Sequence, residues 1–173
     1  KVGAPDRAAV TTVKEGLGRL KLRELKTEAG EVVTRTFAVH VQDGQLKLAF
    51  GGAAPRVQHV EVKRASGMPT IFLAGDSTVT DQPSFHYPYT GWGQAIGLFL
   101  GDGIAVANHA CSGRSSKSFI QESRLNRIAK KLRKGDFLFV QFAHNDEKEG
   151  EIGTEPFSTY QAYLKQYIAL ARE

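Results

Sequence analysis

Several features that define common protein classes are scarce or absent in this sequence. Its single cysteine, Cys111, excludes a disulfide within the chain and fits no cysteine-based metal site. No apolar run is long enough to span a bilayer, and no segment is repeated or of low complexity. The hydrophobic content of 41% is that of a globular protein and excludes a disordered chain. No histidine follows His144, and no aspartate follows Asp146.

The net charge of +5 is confined to the first part of the chain. Residues 1–69 carry twelve Lys and Arg against seven Asp and Glu, whereas residues 70–173 carry eleven of each. The excess favours either a polyanion such as pectin or nucleic acid, or an ordinary solvated surface. The basic stretch 124–134 has no interleaved aromatic residues, so we expect no nucleic-acid partner.

Residues 1–66 have the alternating pattern of β-strands. The alternation predicts strands at 32–41, 46–50 and 57–62, separated by an Asp-Gly turn and a Gly-Gly break. Residues 11–29 fit either a strand or a helix. We therefore predict a partial β-sandwich-like accessory domain, with a carbohydrate-binding role as one option.

Residues 67–173 alternate between apolar strands and helices, which predicts an α/β domain with a parallel sheet. The predicted strands are 70–74, 104–108 and 137–142, and the predicted helices are 91–100, 119–134 and 158–172. The third strand is apolar enough for burial on both faces. Because three strands are few for such a sheet, we expect the chain to be a fragment whose third strand has a free or covered edge.

Polar residues follow each of the three predicted strands of this sheet. They are Ala-Gly-Asp-Ser-Thr at 74–78, Asn-His-Ala-Cys-Ser-Gly-Arg-Ser at 108–115, and Phe-Ala-His-Asn-Asp at 142–146. The carboxyl ends of parallel strands meet at one edge of the sheet, where α/β proteins bind ligands. The three segments are therefore expected to form one site.

These segments resemble those of the Gly-Asp-Ser hydrolases, the SGNH or GDSL superfamily, and within it the rhamnogalacturonan acetylesterases. The resemblance rests on residues 69–79, 91–94, 108–119 and 141–146, in order along the chain. One departure is Ala143, where the family usually has glycine. The resemblance implies an incomplete flavodoxin-like parallel sheet.

The resemblance also implies the roles of three site residues. Ser77 matches the nucleophile, and Gly113 and Asn145 match the oxyanion-hole residues. The family's catalytic acid–base pair belongs to an Asp-x-x-His motif, and no such motif follows Asn145 in this sequence. Read apart from the resemblance, Ser77 fits a helix cap, Gly113 a loop glycine and Asn145 a turn residue.

The remaining polar residues near the site have more ordinary interpretations. Asp76 is expected to brace the turn after the first strand through backbone N–H groups, and Asp146 to brace its own turn. We expect His86 and His109 to be loop or partner histidines rather than the catalytic base. We do not expect His144 to be the base either, because it is adjacent to Asn145 and neighbouring side chains at a strand end point in different directions.

The resemblance implies a serine carbohydrate esterase that removes acetyl groups from a pectic polysaccharide through an acetyl-enzyme. It implies no cofactor, no metal and no membrane partner, and an extracellular or periplasmic location. One alternative is a non-catalytic glycan-binding or degenerate scaffold, which the missing Asp-x-x-His favours. Another is an esterase of the same fold that acts on a different acyl ester.

Overall fold

An antiparallel sheet is followed along the chain by a parallel one. The computed structural model describes residues 1–172. The first part contains β1 (Val2–Gly3), β2 (Ala9–Glu15), β3 (Arg19–Thr27), β4 (Val32–Val33) and β5 (Leu48–Ala54). Strands β3, β2 and β5 form an antiparallel sheet in that order, and β1 pairs with β4.

The ambiguous stretch 11–29 contributes to a β-hairpin made of β2 and β3. Alternate residues of β2, among them Thr11, Val13 and Glu15, are buried on one face of the sheet. The turn between the strands uses Gly16 and Gly18 at φ angles of 59° and 120°, which favour glycine.

The predicted end of a strand at residues 51–52 is wrong, because β5 continues through both glycines. Gly52 has a φ of 119°, and a Cβ there would lie 2.3 Å from the Val10 carbonyl oxygen. Glycine therefore permits close approach of the two strands at this irregular register, rather than ending one of them.

Two other strand predictions fail in the same part of the chain. Of the predicted strand 32–41 only Val32–Val33 is a strand, and 57–62 contains only a bridge from Val57 to Val2. The alternating valines have no sheet to pack on, since Val60 and Val62 are 47% and 66% exposed. The sandwich-like accessory domain at residues 1–66 stays a prediction.

The parallel sheet consists of β6 (Thr70–Gly75), β7 (Ala105–Asn108) and β8 (Phe137–Gln141). Their order is β7-β6-β8, and both pairings are parallel. The central strand β6 is buried at all six positions. The predicted α/β segment with a parallel sheet is confirmed.

The helices are α1 (Ser116–Gln121), α2 (Arg124–Ala129) and α3 (Thr159–Arg172), with 3-10 turns at Ser84–His86, Trp92–Gln94 and Ile96–Leu98. The predicted helix 119–134 is two helices, because Ser123 has a left-handed φ of 58° between them. The predicted helix 91–100 is two 3-10 turns, in a stretch with three glycines that disfavour an α-helix. No described helix has the length and apolarity needed to cross a membrane.

The two faces of β6 pack on two apolar clusters. Phe72 and Ala74 pack with residues of all three helices, among them Phe119, Ile128 and Tyr167. Ile71 and Leu73 face a second cluster: Val79, Val106, Trp92, Ile96, Leu100, Ile104 and Ala110. Strand β6, which leads to Ser77, is thus fixed by apolar packing on both of its faces.

Strand β8 lies at the edge of the sheet and pairs only with β6 among the described residues. The prediction that this strand is buried on both faces is wrong. Phe137 and Phe139 are 52% and 41% exposed, since no further strand lies beside β8 in the described part of the chain.

Candidate active site

Ser77 lies on a tight turn immediately after β6. The N–H group of Thr80 donates to the carbonyl oxygen of Asp76 at 3.0 Å, which closes a helical turn around Ser77. The buried Asp76 carboxylate accepts from the N–H group and the hydroxyl of Thr78 at 2.9 and 2.8 Å. The predicted bracing role of Asp76 is confirmed, and Ser77 itself stays partly exposed.

Gly113 lies in the loop that follows β7. The Cys111 N–H group donates to the Gly75 carbonyl oxygen at 2.9 Å, which holds this loop against the end of β6. Gly113 is exposed and has a φ of 80°, a left-handed conformation that residues with a Cβ rarely adopt. Its backbone is therefore accessible, and its conformation favours glycine.

Asn145 connects the loops that carry Ser77 and Gly113. Its buried Nδ2 atom donates to the Arg114 carbonyl oxygen at 3.1 Å and lies 3.5 Å from an Asp76 carboxylate oxygen. Its Oδ1 atom accepts from Lys148 Nζ at 2.7 Å. The amide nitrogen thus lies between the residue before Ser77 and the residue after Gly113, which brings the three predicted site residues into one region.

Asp146 is directed away from its own turn, contrary to our expectation for its side chain. Its carboxylate accepts from the N–H group of Ser116 at 3.0 Å and from the hydroxyls of Ser116 and Thr154 at 2.5 and 3.1 Å. A buried carboxylate thus fixes the start of α1 behind Gly113.

A buried charged network between β3 and the Ser77 turn has no counterpart in the sequence predictions. The Arg19 guanidinium donates to both Glu15 carboxylate oxygens at 2.6 and 2.9 Å, and to Asp81 at 3.2 Å. The other Asp81 oxygen accepts from Asn108 Nδ2 at 2.8 Å, and the same nitrogen donates to the Val79 carbonyl oxygen at 2.9 Å. The antiparallel sheet therefore contacts the turn that positions Ser77.

The network lies in a weakly polar environment. Burial raises the pKa of Asp81, against the opposing effect of the Arg19 charge and of the Asn108 hydrogen bond. Burial alone would lower the pKa of Arg19, but the hydrogen bond to Glu15 and the charges of both carboxylates raise it. Burial also lowers the pKa of Lys21, whose Nζ donates to the Ala38 carbonyl oxygen at 2.8 Å.

None of the histidines in residues 1–172 hydrogen-bonds to Ser77. The His109 Nε2 atom is buried without a hydrogen-bond partner, and the ring packs on Phe72. Burial, together with the charges of Lys131 and other nearby cationic groups, lowers the pKa of His109 to about 4. A general base has its pKa near the working pH, so His109 is unsuited to that role, as expected.

The low pKa of His109 predicts a loss of stability in acid. The unfolded chain takes up this proton near its ordinary pKa of about 6.5, whereas the folded chain takes it up only near 4. The free energy of unfolding of wild type relative to His109→Gln should be constant above pH 6.5. It should decline as the pH falls from 6.5 towards 4, by at most about 1.4 kcal/mol per pH unit.

Urea denaturation at several pH values measures this difference in the free energy of unfolding, and His59→Gln at an exposed position serves as the control. A pH-independent difference for His109→Gln would show that its ring is protonated equally in both states.

No group of three or more His, Cys, Asp or Glu side chains within residues 1–172 is arranged to hold a metal ion. The Arg114 side chain, which follows Gly113, pairs with Glu122 at 3.0 Å. In this structure Arg114 therefore contacts another surface side chain.

Comparison with known proteins shows sequence similarity to proteins named as rhamnogalacturonan acetylesterases or probable ones. The chain is 48% identical over 103 residues to rhamnogalacturonan acetylesterase RhgT of Bacillus subtilis (strain 168), covering 60% of this chain and 44% of that protein. It is 50% identical over 105 residues to the probable rhamnogalacturonan acetylesterase YesY of the same organism, covering 60% and 48%. It is 38% identical over 79 residues to a rhamnogalacturonan acetylesterase of Emericella nidulans, covering 44% and 28%.

No protein-family model matches the chain. The chain spans less than half the length of each of these three relatives. The resemblance drawn from the sequence is confirmed: the chain is similar to rhamnogalacturonan acetylesterases over more than half of its length.

Proposed function

We propose that the intact protein is a serine esterase that removes acetyl groups from a rhamnogalacturonan-like pectic polysaccharide outside the cytoplasm. The observation that carries the proposal is the position of the Asn145 amide, between the residue before Ser77 and the residue after Gly113. The names of the similar proteins support the same substrate class. The strand order β7-β6-β8 places the first strand of the domain in the centre, as in flavodoxin-like sheets.

In the proposed reaction, the Ser77 hydroxyl oxygen attacks the carbonyl carbon of the acetyl ester while a base accepts the hydroxyl proton. The tetrahedral oxyanion collapses, and the bond to the sugar oxygen breaks. The sugar leaves as an alcohol after taking up that proton. Water then attacks the acetyl-enzyme, which releases acetate and restores Ser77. None of the histidines in residues 1–172 is proposed as this base.

Backbone N–H groups of Ser77 and Gly113 and the amide of Asn145 are the proposed donors to the oxyanion. The Asn145 amide has two N–H bonds. The contact to Arg114 at 3.1 Å is an ordinary hydrogen bond, whereas the 3.5 Å contact to Asp76 is long and weak. The second N–H bond is therefore only weakly engaged and is the proposed donor to an oxyanion, while the first keeps the contact that holds the Gly113 loop.

Acetate release from acetylated rhamnogalacturonan by the intact protein tests this proposal. We expect acetate release from this polymer to exceed acetate release from acetylated xylan. We also expect hydrolysis of this polymer to be faster than hydrolysis of p-nitrophenyl butyrate, which is measured by release of p-nitrophenol. A fluorophosphonate probe should label Ser77, and peptide mass spectrometry identifies the labelled residue. Preference for the butyrate ester would instead favour an esterase with another acyl substrate.

A non-catalytic glycan-binding scaffold is the second candidate. It is favoured by the lack of an imidazole hydrogen-bonded to Ser77 among residues 1–172. Binding of the intact protein to the polysaccharide without acetate release or probe labelling would support it and contradict the esterase proposal.

A further inference from the structure

A loop of exposed aromatic side chains follows the Ser77 turn. Within this aromatic loop, residues 82–90, the side chains of Phe85, Tyr87 and Tyr89 are 81%, 87% and 76% exposed. We propose that the aromatic loop is a sugar-binding platform on which a ring of the polysaccharide stacks while a neighbouring acetyl group lies at Ser77. This inference rests on the proposed function and extends it to substrate recognition.

Both ends of the aromatic loop are fixed to the turn that carries Ser77. At its start, the Gln82 side-chain amide donates to the Ser77 carbonyl oxygen at 2.8 Å. Just beyond its end, the Trp92 N–H group donates to the Thr78 carbonyl oxygen at 2.8 Å. At Gly91, near the end of the loop, the chain comes back against Thr80, near its start. A Cβ on Gly91 would lie 2.1 Å from the Thr80 carbonyl oxygen. The platform cannot move far from Ser77 without breaking these contacts.

Successive turns order the aromatic loop internally. The N–H groups of His86 and Tyr89 donate to the carbonyl oxygens of Pro83 and His86, both at 2.9 Å. The rings of Phe85 and His86 pack edge to face with their centres 4.5 Å apart. Prolines at 83 and 88 further restrict the backbone. Exposed rings on an ordered loop lose little conformational entropy on binding, which favours a ligand-binding role over chance exposure.

The position and chemistry of the loop suit a polymeric carbohydrate. Phe85 is three residues from Gln82, and Tyr89 is three residues from Trp92. The Cα atoms of Phe85 and Tyr89 therefore lie within about 11 Å of a residue bonded to the Ser77 turn. Tyr87 lies between them in the chain. The C–H faces of sugar rings are apolar and pack on aromatic faces, while sugar hydroxyls can hydrogen-bond to the phenol groups of tyrosine. An exposed aromatic patch beside a reactive hydroxyl matches a sugar that carries its ester a short distance away.

Kinetics of the double variant Tyr87→Ala/Tyr89→Ala in the intact protein test the platform. With acetylated rhamnogalacturonan we expect KM to rise about ten-fold or more, the change expected when stacked aromatic contacts are lost. With p-nitrophenyl acetate, which has no sugar ring, kcat/KM should be unchanged. Tyr87→Phe/Tyr89→Phe keeps the rings and should retain most of the affinity for the polymer. Phe99→Ala removes a ring that is 84% exposed on the segment leading to the amino end of β7, and serves as the matched control.

Equal effects of the alanine double variant on both substrates would overturn the inference, because they would indicate damage to the Ser77 turn. Unchanged KM for the polymer would overturn it as well, and would leave the esterase proposal intact if wild type releases acetate. If wild type releases no acetate, calorimetry with de-esterified rhamnogalacturonan still tests the platform. Binding that the alanine variant loses supports it, and no binding by wild type contradicts it.

Discussion

Replacement of Ser77 by alanine in the intact protein is expected to lower acetate release by about 10⁴-fold or more. Without the hydroxyl no acetyl-enzyme can form. The proposed oxyanion-hole donors then have no tetrahedral intermediate to stabilise, because no serine oxygen attacks the ester. The fold should be unaffected, since the Ser77 hydroxyl has no hydrogen-bond partner within residues 1–172, whereas its backbone carbonyl, which Gln82 contacts, is retained. Acetate release and the thermal unfolding midpoint, measured on the same preparation, separate the two effects.

Ser66→Ala provides the matched control for this variant. Ser66 is exposed and precedes β6, so it lies near the opposite end of the strand that leads to Ser77. We expect wild-type activity from this control. If Ser77→Ala kept more than about a tenth of the activity, Ser77 would not be the nucleophile. The turn that Asp76 braces around Ser77 would then have a structural role and no role in catalysis.

The parallel sheet could be predicted because its strands have a local signature. β6 and β7 are short apolar runs followed at once by polar residues, and the structure buries β6 on both faces. The edge position of β8 depends on which strands pair with it, which its own residues do not encode. Apolar content therefore predicted the strand correctly and its burial incorrectly.

The limits of the other predictions also have local physical reasons. Gly52 lies inside a strand because another strand approaches it, and Ser123 interrupts a helical pattern with a left-handed φ. The valines at 60 and 62 alternate as in a strand, yet no sheet lies beside them. Periodicity reports which side chains share a face, and the partner that would bury that face lies elsewhere in the chain.

The candidate site could be predicted in part from three short segments. Ser77, Gly113 and Asn145 follow strands that lie side by side, so their meeting follows from the parallel sheet. The contact between Arg19 and Asp81 joins residues 62 positions apart, and neither residue lies in a motif. The sequence alone could not predict this pair, because it depends on the contact between the antiparallel sheet and the Ser77 turn.

Replacement of Arg19 by methionine is expected to lower the free energy of unfolding by about 3–5 kcal/mol. Methionine fills a similar volume but leaves the carboxylates of Glu15 and Asp81 buried without their shared cation. Lys21 cannot replace it, because its Nζ lies 3.9 Å from Glu15 and donates to the Ala38 carbonyl oxygen. Urea denaturation measures the loss. A triple variant with Glu15→Gln and Asp81→Asn should recover part of it, since neutral amides cost less to bury than unpaired charges.

Arg7→Met is the matched control, because Arg7 pairs with Asp6 on the surface, where both side chains are more than half exposed. Exposed pairs contribute at most about 1 kcal/mol, so this variant should be nearly neutral. If Arg19→Met cost no more than Arg7→Met, the buried network would not hold the two sheets together. A large cost for Arg19→Met alone would mean that the antiparallel sheet helps to fix the turn around Ser77. Residues 1–66 would then act as part of the candidate active site's framework, in addition to any binding role of their own.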